Sequence, residues 1–547
     1  MKPWVAAPFF KDANISVRAD RLALAAVLII ALCVRFYSIT VPVIWYDEAY
    51  SLLLARETPA RIWALTALDV HPPLYYVLLH YWVAVWGESP LAARAFSVLA
   101  DVGTLLLCIK LMSLVSTRQA TWIAAMLLAL LPISVRYSQE ARMYALLGFW
   151  LMGATVALVC WARHPDQKRF ALIYVFLMIA AFYTHYFAGL CVPVHWLFWW
   201  QSRGIHAGTA IAIEYWFLAN IAIVFWYLPW IPHLLYQLAD TQVSNWIEPV
   251  TLQKALALVW QFTVMGDGTL QSPVWKLVPL VLMLLFAAII TSSKNSEQPT
   301  GWLLVNYFFV PLTALYLIAL NHALFVTRYL QFSAPALAMI TAVALDRWGS
   351  RRALSSSTVL LICVVAQLHG LAMVYRQTDG LEGTGARRES EFSTLMTQLN
   401  HNARPGDEII VSTAFWVISV DYYNTTGIKP KIATKLSIDS FLKLTSRGAL
   451  SLIDDPAARV FIDGVTNADF HSRRVWWITY SSLPDGWPLF TQRRTPSLVF
   501  DGVSFSLYLF TPDAPAIVPA STSATSYAAA ISCASKLSAR AICHIRE

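Results

Sequence analysis

Long apolar runs separated by short polar loops dominate the first 375 residues. A helix crosses hydrocarbon with about 20 residues, and stretches able to do so fall at roughly 22–41, 91–115, 120–135, 143–161, 170–186, 187–200, 208–229, 276–291, 302–320, 329–345 and 354–375. The pattern predicts a mainly α, polytopic membrane protein of about eleven transmembrane helices. The stretch LYYVLLHYWVAVW at 74–86 is apolar and aromatic but short for a span, and reads as an interfacial helix. After Tyr375 the apolar density falls. The runs EIIVST, RVFIDGV, RVWWITY and SFSLYLF then alternate with SEFSTLMTQLN and SIDSFLKLT, the pattern of a small α/β domain over 376–512. The Ala/Ser-rich stretch 513–547 reads as a disordered tail.

Composition supports the membrane assignment. With 58% hydrophobic and 13% charged residues, the chain carries more apolar surface than a soluble core buries. The net charge of +8 does not mark a nucleic-acid binder, because the basic residues sit mainly in loops between apolar runs. Placing 1–21 in the cytoplasm puts Lys110 with Arg118, Arg163 with Lys168 and Arg169, Arg203, Lys294, and Arg347 with Arg351 and Arg352 on the cytoplasmic side. The segment 42–90 is then the first extracytoplasmic loop of a membrane domain over 22–375, and 376–512 is extracytoplasmic as well. Counting 74–86 as a crossing inverts every later loop and spoils the charge bias. No small-residue cleavage site follows the first apolar run, which therefore reads as an uncleaved anchor. Seven scattered cysteines show neither zinc-ligand spacing nor a disulfide framework.

The chemistry collects on the outer side. The stretch WYDEAYSLLLARETPARIWALTALDVHPPLYY places Asp47, Glu48 and His71 at the first membrane exit. VRYSQEARMY adds Glu140, Arg142 and Tyr144, THYF adds His185, and FVTRYL adds Arg328. An ionisable group at membrane depth costs roughly 2.5–3.5 kcal/mol on insertion scales, so this gathering points to function. Each residue also has a plainer reading. Asp47 and Glu48 could be solvated acids at a helix start, His71 a structural imidazole, Arg142 a salt-bridge partner of Glu140, and Arg35 the partner of a carboxylate inside the bundle. His185, Tyr183 and Tyr186 could line a pocket or belong to an interfacial aromatic belt. Asp47, Glu48 and Glu140 could together supply oxygen ligands to Mg or Mn.

The order and spacing of RFY, WYDEA, HPPLYY, AARAFS, SQEARMYAL and TRYL, spanning Arg35 to Leu345, resemble the GT-C membrane glycosyltransferases. The resemblance is to the branch that contains protein O-mannosyltransferases and the lipid A aminoarabinose transferase. It implies an enzyme of a bacterial inner membrane that moves a sugar from a polyprenyl-phosphate donor to an acceptor lipid, polysaccharide or protein on the outer face. Residue by residue it implies Asp47 and Glu48 as the catalytic acids, with Asp47 as general base or acceptor-orienting group. His71, Arg142, Arg328 and Tyr144 follow as donor-phosphate ligands, supported by Arg35, Glu140 and His185. His71 stands where the aminoarabinose transferase branch carries a lysine before Pro-Pro-Leu, so a fixed positive charge is replaced by a titratable ring. The resemblance implies no required metal, with a divalent cation as the alternative. A transporter or lipid flippase is the rival reading. Transporters commonly show repeated halves with sites near the midplane, whereas these motifs gather at one face.

Overall fold

The computed structural model describes residues 15–512, apart from 206–210, 240–246, 267–272, 293–297, 350–351, 390, 435, 447, 454, 463–472 and 481–493. Residues 1–14 of the N-terminus expected in the cytoplasm, Lys294, Arg351 and the expected tail at 513–547 lie outside the described residues. The chain forms two compact units. The first comprises the chain up to residue 41, residues 47–381 and residues 447–452; the second comprises 42–46, 382–446 and the chain from 453 onward. The division is therefore discontinuous. Residues 42–46 join the second unit through backbone: the Val43 N–H donates to the Arg387 carbonyl at 3.0 Å and the Ile44 N–H to the Tyr423 hydroxyl at 3.0 Å.

Among the described residues every regular element of the first unit is a helix. Its N-terminal half contains α1 (Ile15–Phe36), α2 (Tyr46–Ala55), α3 (Pro59–Ala67), α4 (Leu74–Trp86), α5 (Pro90–Val115), α6 (Arg118–Ala129), α7 (Pro132–Ser138), α8 (Tyr144–Arg163) and α9 (Lys168–Thr184). Thr58 caps α3 and Ser89 caps α5, each side chain accepting from a backbone N–H in the first turn, and each is followed by a proline at the first helical position. Among the described residues six helices are long and apolar enough to cross a membrane: α5, α8, Ile213–Leu238, Val274–Thr291, Pro299–Ala319 and Ala353–Tyr375. Two further pairs meet the span criteria only together, as a broken span or a re-entrant loop: α6 with α7, bent by 50°, and the 3₁₀ helix Thr327–Ser333 with Pro335–Gly349, bent by 45°. Pro132 and Pro335 sit at those breaks, where the ring removes a helical donor. The other three expected spans also fall on helix. However, α1 carries Arg18, Asp20, Arg21 and Arg35, α9 has 17 residues, and Val192–Ile205 has 14. Among the described residues six helices meet the length and composition of a span by themselves, or up to eight with each bent pair counted as one, so the expected count of eleven is not confirmed. The 13-residue α4 falls below span length, as the apolar run at 74–86 suggested.

Helix α8 is the most enclosed of these spans and packs beside α5 and α9. Small residues permit the approach. A Cβ at Gly103 of α5 would lie 2.8 Å from the Phe149 ring of α8, and one at Gly153 of α8 would meet Leu177 of α9 at 3.2 Å.

The second unit holds a six-stranded sheet built from β1 (Glu408–Val411), β2 (Lys431–Thr434), β3 (Val460–Ile462), β4 (Val475–Tyr480), β5 (Arg494–Asp501) and β6 (Phe505–Pro512). Their order is β3-β2-β1-β4-β6-β5. Strands β3, β2, β1 and β4 run parallel, while β6 pairs antiparallel with both β4 and β5. Helix Ala414–Tyr423 makes the β1 to β2 crossover that parallel pairing requires. Val475, Trp476, Trp477 and Ile478 are buried in succession, as in a strand covered on both faces. Trp416 anchors one side of the core, with ring centroids 4.7 Å from Phe392 and 4.8 Å from Phe505.

Candidate functional site

The site is built on the first turn of α2. Acidic side chains suit that end because the helix dipole is positive there. Neighbouring residues on a helix point about 100° apart, and this separates the two acids. Glu48 is fully buried: Arg94 Nε donates to its Oε1 at 2.8 Å and Arg94 Nη2 to its Oε2 at 2.7 Å. The Ala141 N–H donates to Oε1 as well, at 2.9 Å, and Arg94 Nη1 donates to the Ile39 carbonyl at 2.6 Å. Both Glu48 oxygens are therefore engaged by protein. Asp47 is 19% exposed and accepts through Oδ2 from Arg328 Nη1 at 3.2 Å, and its Oδ1 has no hydrogen bond from the described residues.

The short link between α7 and α8 supplies Arg142. The tie from Ala141 to Glu48 and the Ser97 hydroxyl donating to the Arg142 carbonyl at 3.4 Å fix its backbone. Arg142 is 3% exposed and does not pair with Glu140. Its Nη1 donates to the Asp47 carbonyl at 3.2 Å, to Ser51 Oγ at 3.1 Å and to the Tyr76 hydroxyl at 3.4 Å. All three are neutral oxygens, and Arg142 Nε has no hydrogen-bond partner among the described residues. Glu140 instead pairs with Arg136 at 2.8 Å, and Arg136 also reaches Asp379 at 3.2 Å.

Arg328 enters from the 3₁₀ helix Thr327–Ser333, its guanidinium 5.9 Å from the centroids of both the Tyr144 and Tyr329 rings. Tyr144 is buried with its hydroxyl unpartnered among the described residues. The ring of His185 lies 5.8 Å from Tyr144, 5.5 Å from Tyr329 and 5.4 Å from His71. His71 sits before Pro72 and Pro73, which cannot donate and restrict the backbone. Its Nδ1 is 3.3 Å from Asp69 Oδ2. Burial pulls the His71 ring below its ordinary range against the pull of Asp69. Burial pushes the Asp69 carboxyl up, but the His71 hydrogen bond and the charges of His71 and Arg142 leave it below the usual carboxylate range. At neutral pH the pair is thus a carboxylate beside an uncharged imidazole.

The structure therefore gathers Asp47, His71, Arg142, Tyr144, His185 and Arg328. It places Glu48, Glu140 and Arg35 in buried ion pairs, the last with Asp101 at 2.6 Å. Asp47, Glu48 and Glu140 do not form one oxygen cluster, since Arg94 and Arg136 occupy two of them. No group of three metal-ligating side chains occurs among the described residues. Asp69, Arg94, Ser51 and Tyr76 were not singled out by sequence reasoning. Asp69 had a signal, being an acid two residues from His71 in the same loop, and Arg94 lay within AARAFS.

No protein-family model matches the sequence, and no curated protein sequence matches it. Among solved structures the chain is similar to ArnT from Cupriavidus metallidurans in the apo state, with TM-score 0.60 at 13% identity over 90% of this chain and 98% of that one. The same protein bound to undecaprenyl phosphate gives TM-score 0.58 at 13% identity, over 89% and 97%. An oligosaccharyltransferase from Archaeoglobus fulgidus aligns at TM-score 0.47 and 11% identity, over 75% of this chain and 63% of that one. At 13% identity the ArnT likeness establishes a shared fold.

Proposed function

We propose that this protein is a membrane glycosyltransferase that transfers a sugar from a polyprenyl-phosphate donor to an extracytoplasmic lipid, polysaccharide or protein acceptor, in a bacterial inner membrane. The observation that carries the reading is Arg142. A guanidinium buried to 3% exposure and bonded to neutral oxygens alone, with Nε unpartnered among the described residues, is a site for an anion. A phosphate bridging Arg142 and Arg328 lies beside Asp47, the one acid of the Asp-Glu pair with an oxygen open to a substrate. ArnT, the structural neighbour, binds undecaprenyl phosphate, and the same ligand class fits these two arginines.

The roles follow from charge. As the bond from the sugar to the phosphate breaks, negative charge grows on the departing oxygen. Arg142 and Arg328 stabilise it, Asp47 takes the proton of the acceptor hydroxyl, and Tyr144 and His185 offer neutral polar groups to donor or acceptor. Glu48 fixes the first turn of α2 through Arg94 and Ala141 and acts on Asp47 by position. Transfer of radiolabelled sugar from polyprenyl phosphate to an envelope acceptor by the purified protein tests the proposal; import or flipping of substrate without transfer would favour the transporter reading.

Two further outcomes are expected. Arg142→Lys keeps a positive charge but loses the planar fork and Nε. Charged hydrogen bonds are worth about 1.5–3 kcal/mol, so donor affinity should fall by about tenfold to hundredfold at normal expression. Unchanged donor kinetics would assign Arg142 to holding Ser51 and Tyr76 instead. For orientation, the loop charges place the end of Ala353–Tyr375 outside the cytoplasm. An alkaline phosphatase fused after Tyr375 should therefore be active, and activity of a cytoplasm-only reporter at that position overturns the topology.

A further inference from the structure

Two adjacent imidazoles in the site are held in opposite hydrogen-bonding senses. His71 Nδ1 faces Asp69 Oδ2 at 3.3 Å. An ionised carboxylate can only accept, so Nδ1 carries the ring hydrogen and Nε2 keeps its lone pair while the ring is neutral. No described group bonds that Nε2. His185 is arranged the other way: its Nδ1 accepts the Phe187 N–H at 3.2 Å, which places the hydrogen on Nε2, an atom without a partner among the described residues. The two rings are 5.4 Å apart. The charged and titratable groups facing His71 are Asp69, Asp47, Arg142 and His185, and Tyr50 and Tyr76 stand beside Asp69. The site therefore presents one imidazole acceptor and one imidazole donor side by side, and the roles assigned above make no use of Asp69.

We propose that Asp69 and His71 form a proton-holding pair, in which His71 Nε2 takes up the proton released by the acceptor hydroxyl and stays charged against the phosphate until that phosphate departs. The inference rests on the glycosyltransferase reading. During transfer the acceptor oxygen forms its bond to the anomeric carbon. The bond from that carbon to the phosphate oxygen breaks, and its electron pair remains on the oxygen. The acceptor proton passes by way of Asp47 to His71 Nε2. A phosphodiester of charge −1 becomes a phosphomonoester of charge −2, and the new imidazolium offsets the added charge. Departure of the polyprenyl phosphate returns the proton to water. Asp69 is the positioning residue: it fixes the tautomer that leaves Nε2 open and stabilises the charged ring through Nδ1–H. Burial keeps the His71 ring uncharged at neutral pH, and a phosphate dianion at Nε2 is the opposite charge that raises its affinity for a proton.

Calorimetric binding of undecaprenyl phosphate to the full-length protein in detergent at pH 7.5, in buffers of different ionisation enthalpy, tests the pair. A phosphomonoester has its second pKa near about 6 and is mostly dianionic at that pH, so a proton taken up on binding enters the protein. Wild type should take up roughly half a proton or more per lipid phosphate bound. His71→Lys, charged beforehand, should bind without uptake, and Asp69→Asn should still bind with uptake reduced severalfold. Absent uptake in wild type, or uptake unchanged in His71→Lys, overturns the pair. Arg142→Gln distinguishes this failure from the larger one. If Arg142→Gln loses binding while wild type binds without a proton, the pair alone is wrong. If the lipid phosphate does not bind wild type, or binds Arg142→Gln as tightly, the phosphate site falls and the pair falls with it.

Discussion

Asp47→Asn is expected to lower turnover by about two to four powers of ten, the range a positioned general base contributes. The substitution removes a basic oxygen and leaves the shape. Its amide oxygen still accepts from Arg328 Nη1, which reaches Asp47 at 3.2 Å. The backbone carbonyl that receives Arg142 Nη1 is untouched. Both arginines therefore remain in place, and loss of the competing carboxylate leaves Arg328 more available to a phosphate. The effect should fall on kcat, with the donor KM unchanged or lower, in a transfer assay at saturating acceptor. A rise in KM at constant kcat would mean that Asp47 organises the arginines and takes no proton. Near wild-type turnover would instead make His71 the first proton acceptor, since Glu140 is held by Arg136 and Glu48 by Arg94.

Much of the fold was legible because membrane helices announce themselves by length and apolarity, and each expected span overlaps a helix among the described residues. Harder to read were the spans whose burial replaces hydropathy. Helix α1 carries Arg35 inside the bundle because Asp101 of α5, 66 residues away, neutralises it. In the second unit the strands with dense runs of β-branched and aromatic residues were visible, whereas β2 and β5 were not. Lys431–Thr434 is four residues long, and β5 contains Pro496, a residue that argues against a strand until the topology shows β5 to be an edge. For the site, the loop charges led to the expectation of ionisable groups gathered on one side of the membrane, but the sequence could not say which acid of an adjacent pair is left with an unengaged oxygen. That depended on Arg94, 46 residues from Glu48. It could also name His71 without its direction, because the ring is oriented by Asp69 and shielded from water by the fold. Phosphate ligand and neutral proton acceptor are both consistent with HPP; burial and the Asp69 hydrogen bond together favour the second.

Glu48 supplies the test of that division of labour. Glu48→Gln leaves the Arg94 guanidinium fully buried beside a neutral amide, and breaking one side of a buried ion pair costs about 3–5 kcal/mol. The expected result is a large loss of folded protein on heating in detergent, and a loss of activity that follows it. Arg94→Met alone should be similarly harmful, since it strands the Glu48 carboxylate. Combining Glu48→Gln with Arg94→Met removes both charges, keeps an oxygen to accept the Ala141 N–H, and forfeits the charged bond to the Ile39 carbonyl, worth about 1.5–3 kcal/mol. The double variant should therefore be more stable than either single variant, a strongly non-additive result, because each single change strands a buried charge that the double change removes. If Glu48 acts only by holding α2, the double variant also regains turnover to within about tenfold of wild type, because Asp47, Arg142 and Arg328 stand where they did. A stable double variant that stays inactive would give Glu48 a part in the chemistry itself.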